Sequence, residues 1–168
     1  MLIRRETPDD VQAITDVTDA AFAANPGGEA WLVGELRADP GWVPELSLVA
    51  ESASGAVVGH VVCTRATVND TPALGLGPLS VHPDHQRQGV GSALVHAVLG
   101  AADALGEPLV ALLGDPAYYS RFGFRPAAGL GVDAPVPEWG AYFQVRALHA
   151  HRPNQRGAFR YAEPFERL

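Results

Sequence analysis

Between Leu79 and Gly91 the chain reads Leu-Ser-Val-His-Pro-Asp-His-Gln-Arg-Gln-Gly-Val-Gly. An apolar run stops at Val81. A short turn carries His82, Pro83, Asp84 and His85. From Gln86-x-x-Gly89-x-Gly91 an apolar-periodic segment continues to about Leu105. A strand, a turn and a glycine-bearing helix start together make an anion site. The first N–H groups of a helix have no intrahelical acceptor, and the aligned peptide dipoles favour negative charge there. Gly89 and Gly91 omit the side chains that would hold a pyrophosphate away from those N–H groups. A Gly-x-Gly pair alone also serves as an ordinary strand-to-helix turn. The spacing from Val81-x-Pro83 to Gln86-x-x-Gly89-x-Gly91 is the more restrictive part.

The rest of the chain supplies the layout in which this turn must sit. Leu2 to Arg5 reads as a first strand. Thr7-Pro8-Asp9-Asp10 opens a helix, with Thr7 as N-cap, Pro8 at the first helical position and acids in the first turn. Val11, Ile14, Val17, Ala21 and Phe22 mark its apolar face to about Ala24. After the break at Asn25 to Gly28, a second helix spans Glu29 to Ala38. Leu46 to Glu51 and Val57 to Arg65 are strands joined across Ser52 to Gly55. Thr71 to Val81 is a strand interrupted by Gly75, Gly77 and Pro78, which predicts a bulge. Leu109 to Leu113 is wholly apolar, as a strand buried on both faces is. A short helix over Tyr118 to Arg121, a loop-rich strand region from Phe124 onward and a strand at Tyr142 to Leu148 complete the order β-α-α-β-β-β-α-β-α-β-β, and the aromatic tail from Gly157 to Leu168 is expected to pack. The expectation is an α/β chain, one domain over residues 1–168, with a mixed sheet covered by helices on both faces.

Composition removes several function classes. The net charge of −7 argues against nucleic acid as the partner. No apolar run approaches the ~20 residues that span a bilayer, and the N-terminus lacks a secretory apolar stretch. Cys63 is the only cysteine, so no intrachain disulfide forms. These features predict a cytoplasmic protein. All 12 basic residues are arginine, so the chain has no lysine to acetylate on itself. His82, Asp84 and His85 share one short turn with no second ligand cluster, which predicts no metal site. Ser80 lacks a G-x-S-x-G elbow, and Cys63 has no activating neighbour in sequence.

The segment from Val81 to Gly91 resembles the acetyl-CoA signature of the GNAT superfamily of N-acetyltransferases. Val57-Val58-Gly59-His60 looks like the third strand of many members. Asp115 to Phe124, with Tyr118-Tyr119-Ser120-Arg121-Phe122-Gly123-Phe124 at its centre, looks like the late motif of the YhbS-like subgroup. The resemblance implies the GNAT fold, acetyl-CoA as cosubstrate, and transfer of its acetyl group to a primary amine by direct attack. It is compatible with a homodimer. It assigns Leu79, Ser80 and Val81 to main-chain pairing with pantetheine, and Gln86, Arg87, Gln88, Gly89, Val90, Gly91 and Ser92 to the pyrophosphate. Tyr119, four residues before Gly123, takes the family's position for a general acid beside the cofactor sulfur. Tyr118 diverges from it by about 100° on a helix. Acceptor specificity is implied to lie with Asn25 to Glu29 and Ala134 to Gly140.

One departure stands out. Many members carry a glutamate on the fourth strand as base, and Ala73 to Ser80 contains no acid. His60, Glu29 and Glu35 are the alternatives, alongside a water chain or bulk solvent. The missing acid also leaves a second class open, a non-catalytic acyl-CoA-binding sensor or interaction module. A dinucleotide-binding domain is disfavoured because the Gly-x-Gly follows a late strand.

Overall fold

The computed structural model describes every residue from Met1 to Leu168. Strand β1 (Leu2–Arg5) leads through a 3-10 turn at Pro8–Asp10 into helix α1 (Val11–Ala21), then α2 (Gly28–Ala38). The meander β2 (Trp42–Glu51), β3 (Val57–Val68) and β4 (Thr71–Val81) follows. Helix α3 (Val90–Ala104), strand β5 (Leu109–Leu113) and the short α4 (Pro116–Tyr119) come next. Strands β6 (Arg125–Pro126), β7 (Val132–Asp133), β8 (Phe143–Ala147) and β9 (Gly157–Arg160) close the chain. The sheet order is β1-β2-β3-β4-β5-β8-β6, with β9 added at the end of β3 and paired with β7. Only the β4–β5 and β7–β9 pairs are parallel. The mixed sheet expected from the sequence is the one observed. No helix is long and apolar enough to cross a membrane.

Boundaries moved where local chemistry overrides pattern. Strand β2 starts at Trp42 rather than Leu46, because its register slips between Trp42↔Thr64 and Ser47↔Val62, and the slip absorbs Pro44. Strand β3 runs on to Val68, because Asn69 turns the hairpin with φ 50. Helix α4 starts two residues early, because the Asp115 carboxylate accepts the Ala117 N–H at 2.9 Å and Pro116 fits the first position. The Thr7 start is inverted in detail: the Asp10 carboxylate accepts from the Thr7 N–H at 2.7 Å, the reciprocal half of a capping box.

The two faces of the sheet are packed differently. Leu94, Val95, Val98 and Leu99 of α3 join Leu48, Val61, Cys63 and Leu74 in a wholly apolar core. Each such side chain, fully buried, stabilises by about 1.5–3 kcal/mol. Helices α1 and α2 cover the other face with Ile14, Val33 and Val49. Beneath them lies a polar chain. The His60 Nε2 meets the Ser47 Oγ at 2.9 Å, and Ser47 donates to Glu6 at 2.6 Å. Arg37 donates to the same carboxylate at 2.8 Å. Burial pushes the Glu6 carboxyl up, but hydrogen bonds from His60, Arg37 and Ser47 outweigh it and hold it at about 2. Burial pushes His60 down, against the pull of the neighbouring Glu6 carboxylate.

Candidate active site

The anion site is formed by backbone. Arg87 and Gly89 both take left-handed conformations, with φ 60 and φ 84. They curl the chain into a concave start for α3. None of the N–H groups from Arg87 to Ser92 donates to any acceptor in the protein. Six consecutive unpaired donors at a helix N-terminus are what a pyrophosphate requires. Gln86 and Gln88 support the turn from outside: Gln86 Nε2 donates to the Val81 carbonyl at 3.0 Å, and Gln88 Nε2 to the Asp84 carbonyl at 3.3 Å. His82 Nδ1 accepts the Asp84 N–H at 3.2 Å.

Next to this turn, β4 parts from β5. Their ladder contains only Leu74↔Val110 and Gly75↔Ala111. Beyond it the register of β4 on β3 jumps from Cys63↔Leu76 to Val61↔Leu79, so β4 carries one extra residue. Gly77, at φ 143, and Pro78 occupy that bulge. The bulge bends β4 away and leaves its outer edge unpaired. The His82 N–H bonds the Val58 carbonyl at 2.9 Å, which fixes the alternation. Ser80 therefore pairs with His60 through its main chain, while Leu79 and Val81 point into the gap. The Val81 carbonyl is already taken by Gln86. This corrects the assignment of Ser80 to pantetheine. Its backbone faces β3, and its hydroxyl is sealed against Thr18 at 3.3 Å.

A groove of about 1530 Å³ opens at the bulge. Leu76, Gly77, Pro78 and Leu79 form its floor, with Leu112, Leu113 and Tyr119 beside them. The Tyr119 ring packs where Gly114 has no Cβ; an added one would stand 2.5 Å from Cε2. Its hydroxyl has no hydrogen-bond partner in the protein. Burial, with a smaller push from Tyr118, raises the phenol to about 12. Tyr118 turns the other way, and its hydroxyl lies 2.8 Å from where a Gly91 Cβ would stand. The divergence expected of neighbours on a helix is present, and only Tyr119 lines the groove.

Of the alternative bases, Glu29 lines the groove, where its carboxylate accepts from Asn25 at 3.1 Å. Glu35 instead pairs with Arg167 at 2.9 Å, outside it. His60 is fully buried behind β3. Cys63 is sealed in the apolar core, and burial raises its thiol well above the ordinary range. Trp139 falls within the Ala134 to Gly140 segment implied for the acceptor, whereas the sequence reading gave Phe22, Asp70, Arg160, Phe165 and Glu166 no part in the groove they line. These residues come from separate segments and share no local motif; the available signals were Ala134 to Gly140 and the aromatic tail, which contributes Phe165 to the lining.

The chain matches the family described as Acetyltransferase (GNAT) domain over residues 2–127. It is 37% identical over 165 residues to the uncharacterized N-acetyltransferase YjhQ of Escherichia coli strain K12, covering 94% of this chain and 90% of that protein. It is 36% identical over 171 residues to the uncharacterized N-acetyltransferase YhbS of the same strain, covering 100% of each. The crystal structure of YhbS from Escherichia coli in complex with CoA has a TM-score of 0.91 at 35% identity, covering 99% of this chain and 92% of that one. A GNAT family acetyltransferase from Brucella melitensis in complex with acetyl-CoA has a TM-score of 0.80 at 34% identity, covering 98% and 97%. The signature turn, the parted strands and these full-length likenesses agree, and the chain belongs to the GNAT family of acetyltransferases.

Proposed function

We propose that residues 1–168 act as one cytoplasmic domain that transfers acetyl from acetyl-CoA directly to a cationic primary amine carried on an apolar body. The observation that carries this is the run of six unpaired N–H groups leading straight from the unpaired edge of β4. The pyrophosphate would lie on Arg87 to Ser92. The pantetheine arm would pair with Leu79 and Val81. That direction points the thioester at the bulge and Tyr119. The CoA and acetyl-CoA complexes of the two structural relatives support the same cosubstrate.

The chemistry follows from the groups present. A neutral amine attacks the acetyl carbon, and a new C–N bond forms. The Leu79 N–H, free of β3, is placed to polarise the carbonyl oxygen. As the C–S bond breaks, the Tyr119 hydroxyl donates to the departing sulfur. A phenol near 12 releases a proton reluctantly to a thiolate whose own pKa is ~8.5. Tyr119 therefore stabilises the sulfur by hydrogen bonding while the proton shed by the attacking nitrogen balances the exchange. That nitrogen loses its proton to water in the open groove.

The acceptor class is read from the walls. Glu29, Asp70 and Glu166 line the groove with a single arginine, Arg160, and with aromatic side chains that include Phe22, Trp139 and Phe165. Acid rim and aromatic wall suit an organic cation. The test is thiol release from acetyl-CoA across a panel of arylalkylamines, polyamines, amino sugars and peptide N-termini. Arylalkylamines are expected to lead. Binding of acetyl-CoA with no release by any amine would favour the sensor reading instead.

A further inference from the structure

Tyr161, the residue after β9, is the second phenol that lines the groove. It reaches the gap from the other face of the sheet. Tyr119 lies against the core beneath α3, with Leu74 and Leu112. Tyr161 lies against the opposite core, with Ala73 and Ala111. Successive strand residues point to opposite faces, so the two phenols stand on opposite sides of β4 and β5.

The Tyr161 ring is laid directly on the backbone of Gly75. A Cβ there would stand 2.6 Å from Cδ1 and 2.8 Å from Cε1. Gly75 and Ala111 form the last rung of the β4–β5 ladder before the strands part. The ring therefore sits at the head of the gap, where acetyl-CoA bound as proposed brings its thioester. Phe159 and Phe165 hold it there, with ring centroids 4.8 and 4.5 Å away.

All of these neighbours are apolar, so packing alone would be served equally by a phenylalanine. A tyrosine buried for packing usually finds a partner for its hydroxyl. The Tyr161 hydroxyl makes no hydrogen bond within the protein, and it is not sealed away, so it opens on the groove. Burial raises this phenol above its ordinary range, so it stays protonated and neutral at any working pH. A protonated phenol oxygen accepts a hydrogen bond but does not act as a base.

We infer that the Tyr161 hydroxyl receives the acceptor: its oxygen accepts an N–H of the attacking primary amine and holds the nitrogen lone pair toward the acetyl carbon. The proton shed after attack still goes to water, and Tyr161 keeps its own. The two phenols then have separate tasks, Tyr119 at the leaving sulfur and Tyr161 at the entering nitrogen. The assignment rests on the transfer reaction proposed above.

The test compares wild type with Tyr161→Phe, which keeps the ring and its stacking. Thiol release from acetyl-CoA is measured with phenethylamine as acceptor. Removing one aligned hydrogen bond to the nucleophile is expected to lower kcat/KM for the amine about tenfold or more. The Kd for acetyl-CoA and the Tm should stay where they are. A kcat/KM within about twofold of wild type overturns the assignment. So does a loss shared with Tm and acetyl-CoA affinity, because that is the mark of a structural role. Calorimetry of phenethylamine on the CoA-loaded chain separates this assignment from the reaction itself. If wild type releases no thiol with any amine, the transfer function fails. The Tyr161 contact then stands if phenethylamine binds wild type about threefold or more tightly than Tyr161→Phe, and falls if it does not.

Discussion

The two walls of the groove are made of different material. On the proposed reading the cofactor side is main chain: the Gly77–Pro78 bulge and Leu79 in the groove, continued beside it by the free edge at Val81 and the unpaired N–H groups of Arg87 to Ser92. The acceptor wall is side chain: Phe22 and Glu29 from the α1–α2 region, Trp139 from a late loop, and Phe165 and Glu166 from the tail. A backbone wall can be altered only through conformation, so it depends on glycine and bulge positions. A side-chain wall can be changed residue by residue without disturbing the ladder beneath it. The difference is what the proposed reading requires, a shared cosubstrate on the first side and an individual acceptor on the second. Each experiment below probes one wall or the boundary between them.

The largest effect belongs to Tyr119, at that boundary. Tyr119→Phe is expected to lower kcat by about 10²–10³-fold, the usual cost of losing one preorganised hydrogen bond to developing charge, with the Kd for acetyl-CoA nearly unchanged. Tyr118→Phe, whose hydroxyl covers the first turn of α3, should leave kcat within a few fold and act on cofactor affinity. Reversed results would move the sulfur's hydrogen-bond donor to Tyr118. The pH profile sharpens the same point. A phenol raised to about 12 stays protonated throughout the working range, so it imposes no falling limb below about pH 11. An alkylamine acceptor has a pKa of ~10.4, so kcat/KM should rise with pH as the neutral amine accumulates. Because His60 is sealed behind β3, no limb near its ordinary pKa is expected. A limb near six or seven that vanishes in His60→Ala would show that the buried ring reaches the chemistry.

Gly89 tests the backbone wall. It sits at φ 84 with open space beyond its Cα, so a substituent there meets strain but no clash. Asn tolerates the left-handed region better than most residues, whereas Asp adds a charge beside the incoming phosphates. Gly89→Asp should weaken acetyl-CoA binding by about ten- to a hundredfold, and Gly89→Asn by only a few fold. Gly91 is a poorer probe, because its substitution would also displace Tyr118. Equal losses in the Asp and Asn variants would mean that conformation matters there and the anion lies elsewhere.

What the sequence revealed follows the same division. The turn from Val81 to Gly91 was legible because a local run of residues dictates a local backbone shape. The bulge was legible through Gly77 and Pro78, and the face of α1 through Ile14 and Val17. The assignment of Ser80 went astray because a strand's hydrogen-bonding side alternates with register, and register is set by the partner strand. His60 looked available because a titratable ring on a strand gives no sign of which face it occupies. The polar chain through Ser47 and Glu6 had no signal at all, since its members are brought together from the residue after β1, from β2 and from β3. Phe22, Asp70 and Glu166 were invisible as a set for the same reason.

The smallest effects should come from the acceptor wall, and they decide whether that wall only recognises. Glu29 is half-buried at the start of α2, and Glu166 is exposed on the tail. An exposed carboxylate attracting a cation contributes ~0.2–1 kcal/mol, or roughly two- to fivefold in binding. Glu29→Gln and Glu166→Gln should therefore each raise KM for a cationic acceptor by that factor. Both should leave kcat and the acetyl-CoA KM alone, and both penalties should shrink as salt screens the attraction. An uncharged poor acceptor of similar shape should not distinguish the variants from wild type. Glu29 is the more informative of the pair, because it is the one acid from the original alternatives that reaches the groove. If Glu29→Gln instead lowers kcat by a hundredfold or more and flattens the rising pH limb, the nitrogen's proton goes to that carboxylate and not to water. The acceptor wall would then hold the base that β4 lacks, and the separation of a chemical wall from a recognition wall would fail at that residue.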